Sequence, residues 1–397
     1  MRPGILPETP VLQPLRRVSP SRFFSLKECA LREIWSASRQ ESLLPPSPAA
    51  QLGTVIHRLL EAAGKGTLNA GNPADIENIW QKLVERTEQG MLQSWLQRSL
   101  VPLSGTIPQF QVRKIRACKK AAEVARAAGR YTEYPGTERL DRFESWIETP
   151  DGLVAGSIDQ IQETKNGAIL RDYKSGYIIE KKPEDAISEV EEKYKLQLKL
   201  YAALFASKQG RWPIKLEVVP LQGPEKDIPF EPAECESLLR EATYTLKQVN
   251  DQIGQALKLS DPEKAAVSFA NPSPASCRNC CFRPSCKAYQ TARDNLSQNR
   301  DWPRDVWGSV CEFKLLGNQK VALAVKMSSR PEKPIRIRGL ASNADRHPAL
   351  EFMREGERIA VYNLKGQIEG CEFVETLSTV IYLVPESPLS VRGTLEP

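Results

Sequence analysis

Hydrophobic and polar positions change period several times along this chain, and each change marks an element. Behind Ser19-Pro20-Ser21, a helix is predicted over Arg22 to Ser36, with Phe23, Phe24, Leu26, Leu31 and Ile34 on its apolar face. The loop Leu44-Pro45-Pro46-Ser47-Pro48 precedes a second helix that starts at Gly53, and residues 74 to 131 read as helices throughout. The period then falls to two. Residues 139 to 149 and 153 to 162 alternate as strands joined at Asp151-Gly152, and 167 to 174 supplies a third. Asn166-Gly167 is a dipeptide that tight hairpin turns favour, because both central residues need positive φ. A helix follows from about Glu189 to Ser207, then a strand from Ile214 to Leu221 and a helix over 235 to 258. Helix, three strands, helix, strand describes an α/β core with helices packed on a mixed sheet.

From Asp305 onward the pattern is one of short strands: Val306 to Leu315, Val321 to Met327, Pro334 to Leu340, Arg358 to Leu364, and Thr379 to Val384. Five strands in this length predict an all-β, OB-like domain. The expected organisation is therefore a flexible Pro-rich arm over 1–18, lying on the surface or mobile, an α/β unit over 19–299, and a β-rich unit over 300–397. A length of 397 residues agrees with two compact units.

With 41% hydrophobic and 26% charged residues, the chain is not a disordered one. No apolar run is long enough to span a bilayer, and Met1 to Pro7 lack the apolar core of a secretory signal, so no membrane partner and a cytoplasmic location are expected. The net charge of +6 is too small to name a partner, but its distribution is uneven. From Gln109 to Tyr131, seven Lys and Arg stand against the single acid Glu123. Arg113, Arg116 and Lys120 fall on one helical face, which suits a row of phosphates and equally a solvated surface. Arg336 and Arg338 share one strand face and could track single-stranded nucleic acid. Residues 300–397 hold fourteen basic and thirteen acidic residues, so docking a protein is an equal reading there.

The candidate chemistry centres on Gly156-Ser157-Ile158-Asp159 and Asp172-Tyr173-Lys174-Ser175-Gly176. In the third strand, Asp172 and Lys174 project from one side and Tyr173 from the other. If Asp159 points the same way, two carboxylates and an ammonium converge, which is how a Mg²⁺ site for phosphodiester cleavage is built. Asp-x-Lys alone is a weak signal. His57 and Glu61 share a helical face; a structural histidine is the simpler reading, although a neutral imidazole can complete a metal site. Of nine cysteines, Cys277, Cys280 and Cys286 are clustered tightly enough to wrap one metal centre, with zinc as the rival occupant. Cys29 is a candidate fourth ligand. Cys281, Cys118, Cys235, Cys311 and Cys371 are expected to be buried or incidental.

Six stretches in this order resemble the PD-(D/E)xK nucleases of the RecB and AddB type, especially the iron–sulfur branch that includes CRISPR-associated adaptation exonucleases. They are Ser19-Pro20-Ser21-Arg22 through Cys29, Gly53-Thr54-Val55-Ile56-His57 through Glu61, Gly156-Ser157-Ile158-Asp159, Asp172-Tyr173-Lys174-Ser175-Gly176, Gln197-Leu198-Lys199-Leu200-Tyr201, and the Cys277, Cys280, Cys286 cluster. The resemblance implies a restriction-endonuclease-like core. It implies His57, Asp159 and Asp172 as ligands of Mg²⁺ or Mn²⁺, with the Tyr173 carbonyl as a further one. Lys174 would be the catalytic lysine, with Gln197 and Tyr201 orienting the site and the strand. Cys29, Cys277, Cys280 and Cys286 would hold a [4Fe–4S] cluster.

The resulting expectation is a metal-dependent deoxyribonuclease acting on single-stranded DNA ends or flaps, in repair, recombination or CRISPR adaptation, with a possible helicase or recombination partner. No Gly-x-x-x-x-Gly-Lys-Ser/Thr occurs, so no motor is expected in this chain. The alternatives are a DNA-binding scaffold subunit of a helicase–nuclease complex and a zinc-stabilised nucleic-acid adaptor.

Overall fold

The computed structural model describes residues 2–38, 41–68, 72–130, 141–176, 178, 190–258, 261–295, 301–328, 330–367 and 371–385. The expected unit boundary at 299/300 lies outside them, as do the first residues of the 139–149 strand.

The predicted helix over Arg22 to Ser36 is two helices, α1 (Pro20–Glu28) and α2 (Ala30–Ala37), broken at an extended Cys29. The break has a local cause. The Asn271 side chain donates to the Glu28 carbonyl and the Leu31 amide donates to the Phe269 carbonyl, which diverts the backbone from helical bonding. Next, α3 (Pro48–Gly64) starts earlier than Gly53, because Ser47 caps the Ala50 amide and Pro48 fits the first turn. The helical stretch continues as α4 (Pro73–Leu92), a short α5 (Leu103–Thr106) and α6 (Phe110–Arg130).

Strands β1 (Asp141–Glu148), β2 (Ala155–Thr164) and β3 (Gly167–Lys174) are the antiparallel trio that the alternation predicts. The hairpin between β2 and β3 turns on Lys165 and Asn166, not on Asn166-Gly167. Thr164 pairs with Gly167, and positive φ falls on Gly167 alone. The Thr164 hydroxyl fixes the turn by accepting from the Asn166 amide and donating to the Gly167 carbonyl. The chain then crosses through α7 (Glu192–Gln209) to β4 (Lys215–Pro220), which runs parallel beside β3, and β5 (Lys226–Asp227) completes a mixed five-stranded sheet in sequence order.

After the sheet come α8 (Pro232–Ala256), α9 (Pro262–Val267), α10 (Pro274–Arg278) and α11 (Lys287–Asn295). Helix α9 starts where it does because Asp261 caps the Lys264 amide and Pro262 fits its first turn. One face of the sheet, through Ile158, Leu170, Leu216 and Val218, packs in a core with residues of α1, α2, α7 and α8. Tyr173 and Val219 belong to a second core with α3, α4 and α6. Both faces are thus covered, as a sheet containing a parallel crossover requires.

The carboxyl-terminal segment contains β6 (Val306–Leu315), β7 (Lys320–Met327), β8 (Arg330–Ala341), β9 (Arg358–Tyr362), β10 (Lys365–Gln367), β11 (Glu372–Val374) and β12 (Val380–Leu383). Five strands were expected; β10 and β11, of three residues each, are too short to carry a periodic signal. All seven form one sheet in the order β10-β11-β8-β7-β6-β9-β12. Among the described residues this ladder runs open between β10 and β12, so the unit is strand-rich as expected without the closed ring of an OB barrel.

A buried arginine joins this unit to the cysteine-bearing loop. Arg283 donates to the carbonyls of Cys277, Arg278 and Cys280, to Asp305 Oδ2 at 2.9 Å and to Asn363 Oδ1 at 2.6 Å. The Tyr289 hydroxyl donates to the same Asp305 oxygen. The amino-terminal segment is also held. The Leu6 amide bonds to Leu383, Val18 bridges Val154, Asn250 exchanges two hydrogen bonds with Leu15, and Leu12, Leu15 and Val18 are buried. The apolar residues set among the prolines thus hold this segment against the core.

Removing one member of a buried pair leaves an uncompensated charge, so Arg283→Met is expected to cost about 3–5 kcal/mol in chemical denaturation. The double variant Arg283→Met/Asp305→Asn should recover part of that loss. Equal stability of the single variant and the wild type would contradict this role.

Candidate active site

The strand register sets the site. Counting on from the paired residues, Glu144 of β1 falls level with Asp159 of β2, and Asp159 falls level with Asp172 of β3. Neither position belongs to the paired ladder: the β1–β2 pairs skip from Phe143↔Gln160 to Ser145↔Ile158, and the β2–β3 pairs stop at Gln160↔Arg171. Glu144 has φ +47°, a left-handed conformation that is unfavourable for a glutamate. The ladder opens where three carboxylates lie in one row. Asp159 Oδ2 instead accepts from the Tyr173 amide at 2.6 Å.

As the period-two reading predicts, Asp172 and Lys174 face α7 while Tyr173 lies in the opposite core. Asp172 is 2% exposed, with Lys174 Nζ at 2.6 Å from its Oδ2 and Gln197 Nε2 donating to its Oδ1 at 2.8 Å. Lys174 also donates to Gln197 Oε1 at 3.3 Å. Burial raises the Asp172 carboxyl to about 6 despite the ammonium beside it. Burial opposes the charge on Lys174, yet the contact with Asp172 lifts its pKa above the ordinary value, so the amine stays charged. The Tyr201 hydroxyl donates to the Ser157 carbonyl at 2.6 Å, and a Cβ on Gly156 would come within 2.9 Å of that hydroxyl. Glycine at 156 therefore permits α7 to approach the strand.

His57 of α3 places Nδ1 3.5 Å from Asp159 Oδ1. Burial works against its charge, but the hydrogen bond to Asp159 raises its pKa overall. Donor atoms of His57, Glu144 and Asp159 all lie within 4.8 Å of one another. Glu144 Oε2 accepts from the Ser157 hydroxyl at 2.9 Å, and its pKa is raised by burial and then by Asp159. His57 and Glu144 border a cavity of about 530 Å³ that Glu61, Arg58 and Ser175 also line. Asp172 is not within that tight group of three; it reaches the site from the α7 side. Sequence reasoning missed Glu144. Its only signal is its register opposite Asp159, and nothing in its neighbourhood separates it from Glu148.

The three cysteines clustered in sequence, Cys277, Cys280 and Cys286, and the candidate fourth, Cys29, line one small cavity. The broken helix at Cys29 contributes one wall and the α10 region the others. Burial pushes the Cys280 and Cys286 thiols up to about 12 and raises Cys277 as well. Among the described residues, no three of these sulfurs gather within 4.8 Å of one another. Cys235 and Cys371 are buried, Cys118 and Cys281 are half-buried, and Cys311 is exposed.

The basic candidates separate. Arg113 and Arg116 line a second cavity, whereas Lys120 lies 3.5 Å from both Glu123 and Glu225. Arg338 pairs with Glu372 at 2.9 Å, which offsets its charge beside Arg336.

The family model of the PD-(D/E)XK nuclease superfamily matches residues 17–287. Over 62 residues the chain is 44% identical to one of the subunits of the ATP-dependent helicase/nuclease from Lactobacillus delbrueckii subsp. bulgaricus. That match spans 16% of this chain and 5% of the relative. No helix among the described residues is long and apolar enough to cross a membrane. With the family match running from the first helix through the cysteine loop and enclosing the carboxylate row, the chain belongs to the PD-(D/E)XK nuclease superfamily.

Proposed function

We propose that this protein is a Mg²⁺- or Mn²⁺-dependent deoxyribonuclease that cuts single-stranded DNA at ends or flaps. The observation that carries the proposal is the row Glu144, Asp159, Asp172 beside His57 and Lys174. Oxygen donors with one imidazole fit a hard divalent cation. His57, Asp159, Asp172 and the Tyr173 carbonyl would hold it, with Glu144 added to that set. When bound, such an ion would supply an activated water and neutralise phosphate charge.

The chain's own groups do the rest. Lys174, kept charged by Asp172, offsets negative charge that builds on the phosphate in the transition state. Gln197 fixes the Asp172 carboxylate through Oδ1, which keeps one face of that group committed. Tyr201 and the Ser157 hydroxyl brace the β2 segment that carries Asp159 and hold Glu144 in its unusual backbone conformation. The relative's name joins a helicase to a nuclease, and a helicase or recombination partner is the corresponding proposal here.

We further infer that Cys29, Cys277, Cys280 and Cys286 hold a [4Fe–4S] cluster. The four cysteines line one small cavity, and four thiolates are the ligand set that such a cluster takes. When bound, it would tie the break between α1 and α2 to a loop some 250 residues later, restricting the unfolded chain.

With end-labelled single-stranded oligonucleotides and Mn²⁺, Lys174→Ala should cleave at least about a hundredfold more slowly than wild type. Equal, negligible cleavage by both proteins with tight DNA binding would favour the scaffold reading. Anaerobically purified protein should absorb in the visible, and Cys280→Ser should lose that band. Colourless wild-type protein with stoichiometric zinc would end the cluster assignment.

A further inference from the structure

Beside the carboxylate cavity lies a second cavity of about 500 Å³, between the first turns of α6, the end of β3 and the turn from β4 to β5. Ser175 lines both. Since Ser175 and Gly176 directly follow Lys174, the two cavities adjoin at the carboxyl end of the strand that carries Asp172. The second one differs in chemistry. Among the described residues, Arg113, Arg116 and Lys226 line it and no carboxylate does. All three cations are half-buried, and among the described residues none is paired with an acid, unlike Lys120 on the same helix. Three like charges gathered at one concavity repel unless an anion joins them.

The rest of the lining is apolar or small: Ile178, Pro220, Leu221 and Pro224 form an uncharged wall, and Gly223 turns the chain at φ +94°. Gln109, on the rim just before α6, holds a left-handed φ of +56°. A non-glycine residue in that region costs free energy and recurs where a binding site fixes the backbone. The combination of an anion-binding end, an apolar wall and space for a small organic group matches a nucleotide: the phosphate meets the cations and the base lies against the wall.

We propose that this cavity holds one nucleotide of the substrate strand next to the phosphate that is cut, with its phosphate shared by Arg113, Arg116 and Lys226. The proposal rests on the nuclease reading and narrows it. A nucleotide must leave a base stack to enter such a cavity, so the substrate is single-stranded at this point, and recognition is indifferent to base identity. Positive charge from residues on α6 and β5 thereby converges on a single phosphate, in place of the row of phosphates that the helix spacing alone suggests.

The test is binding of fluorescein-labelled oligo(dT), read by anisotropy in Ca²⁺ across a range of salt, with wild type, Arg113→Ala, Lys226→Ala and the triple variant that adds Arg116→Ala. The triple variant should bind about tenfold or more weakly. Because one phosphate is shared, its salt slope should fall by only about 0.7, as for a single phosphate contact, and the single variants should not add. Leu221→Trp, which fills the cavity and keeps every cation, should weaken binding too, and covers the case in which the triple variant fails to fold. Repeating the series with hydroxyl-ended and phosphate-ended oligomers distinguishes the source. Loss for both assigns an internal phosphodiester, and loss confined to phosphate-ended strands assigns the terminus. Wild-type affinity in the triple variant and in Leu221→Trp overturns the nucleotide cavity while leaving the nuclease reading intact. Additive single effects, with slopes summing to three contacts, overturn the shared phosphate. Binding in Ca²⁺ is read without cleavage, so an inactive wild type that still binds through these residues would instead remove the nuclease reading alone.

Discussion

Three carboxylates at one register across β1, β2 and β3 are the constraint around which this structure is arranged. Facing side chains on neighbouring strands stand about 5 Å apart, and two full charges at that distance repel by roughly 3 kcal/mol at an effective dielectric constant of 20. That exceeds the few tenths to 1 kcal/mol a cross-strand pair ordinarily contributes. The chain relieves the repulsion in several ways at once. The ladder opens at Glu144 and Asp159, Asp159 turns to the Tyr173 amide, and Asp172 takes Lys174 and Gln197, while burial, with the Asp159 charge adding to it, raises the Asp172 and Glu144 carboxyls towards their neutral forms. A divalent cation would relieve the remainder.

The surrounding elements make sense as supports for this arrangement. Helix α7 connects the parallel strands β3 and β4, so the same crossover that completes the sheet delivers Gln197 and Tyr201 to Asp172 and Ser157. Gly156 lets it come close. Helix α3 brings His57 from the opposite side, and Gly53 within it leaves room for Ser175, since a Cβ there would sit 3.1 Å from the serine hydroxyl. Farther away, the cysteine loop is held from one side by α1 and α2 and from the other by Arg283 with Asp305 and Asn363. The strand-rich unit is thereby joined to the loop that closes the nuclease core.

Much of this was legible in the sequence because periodicity is a local property. Alternation alone placed Asp172 and Lys174 on one face and Tyr173 on the other, and the order of elements gave the mixed sheet. What escaped were features fixed by partners distant in sequence. Glu144 matters only through its register with Asp159 and a left-handed backbone that no local pattern announces. The break at Cys29 is made by hydrogen bonds to residues 269–271, and the burial of Leu12 and Leu15 depends on α8. A helical wheel grouped Lys120 with Arg113 and Arg116, but Glu225, some hundred residues later, lies beside it, while Lys226 from that same turn reaches the cavity. Short strands such as β10 and β11 have too few residues to show a period at all.

The most direct measure of the central claim is Mn²⁺ binding followed by electron paramagnetic resonance between pH 5 and 8, without DNA. The folded Asp172 carboxyl lies above its unfolded value, so protons compete with the cation in this range. The account requires one tight ion per chain, with affinity rising as pH climbs through about 6, and weakened separately by His57→Ala, Glu144→Gln and Asp159→Asn. Ions bound with unchanged affinity after all three substitutions would show that these groups do not share a cation.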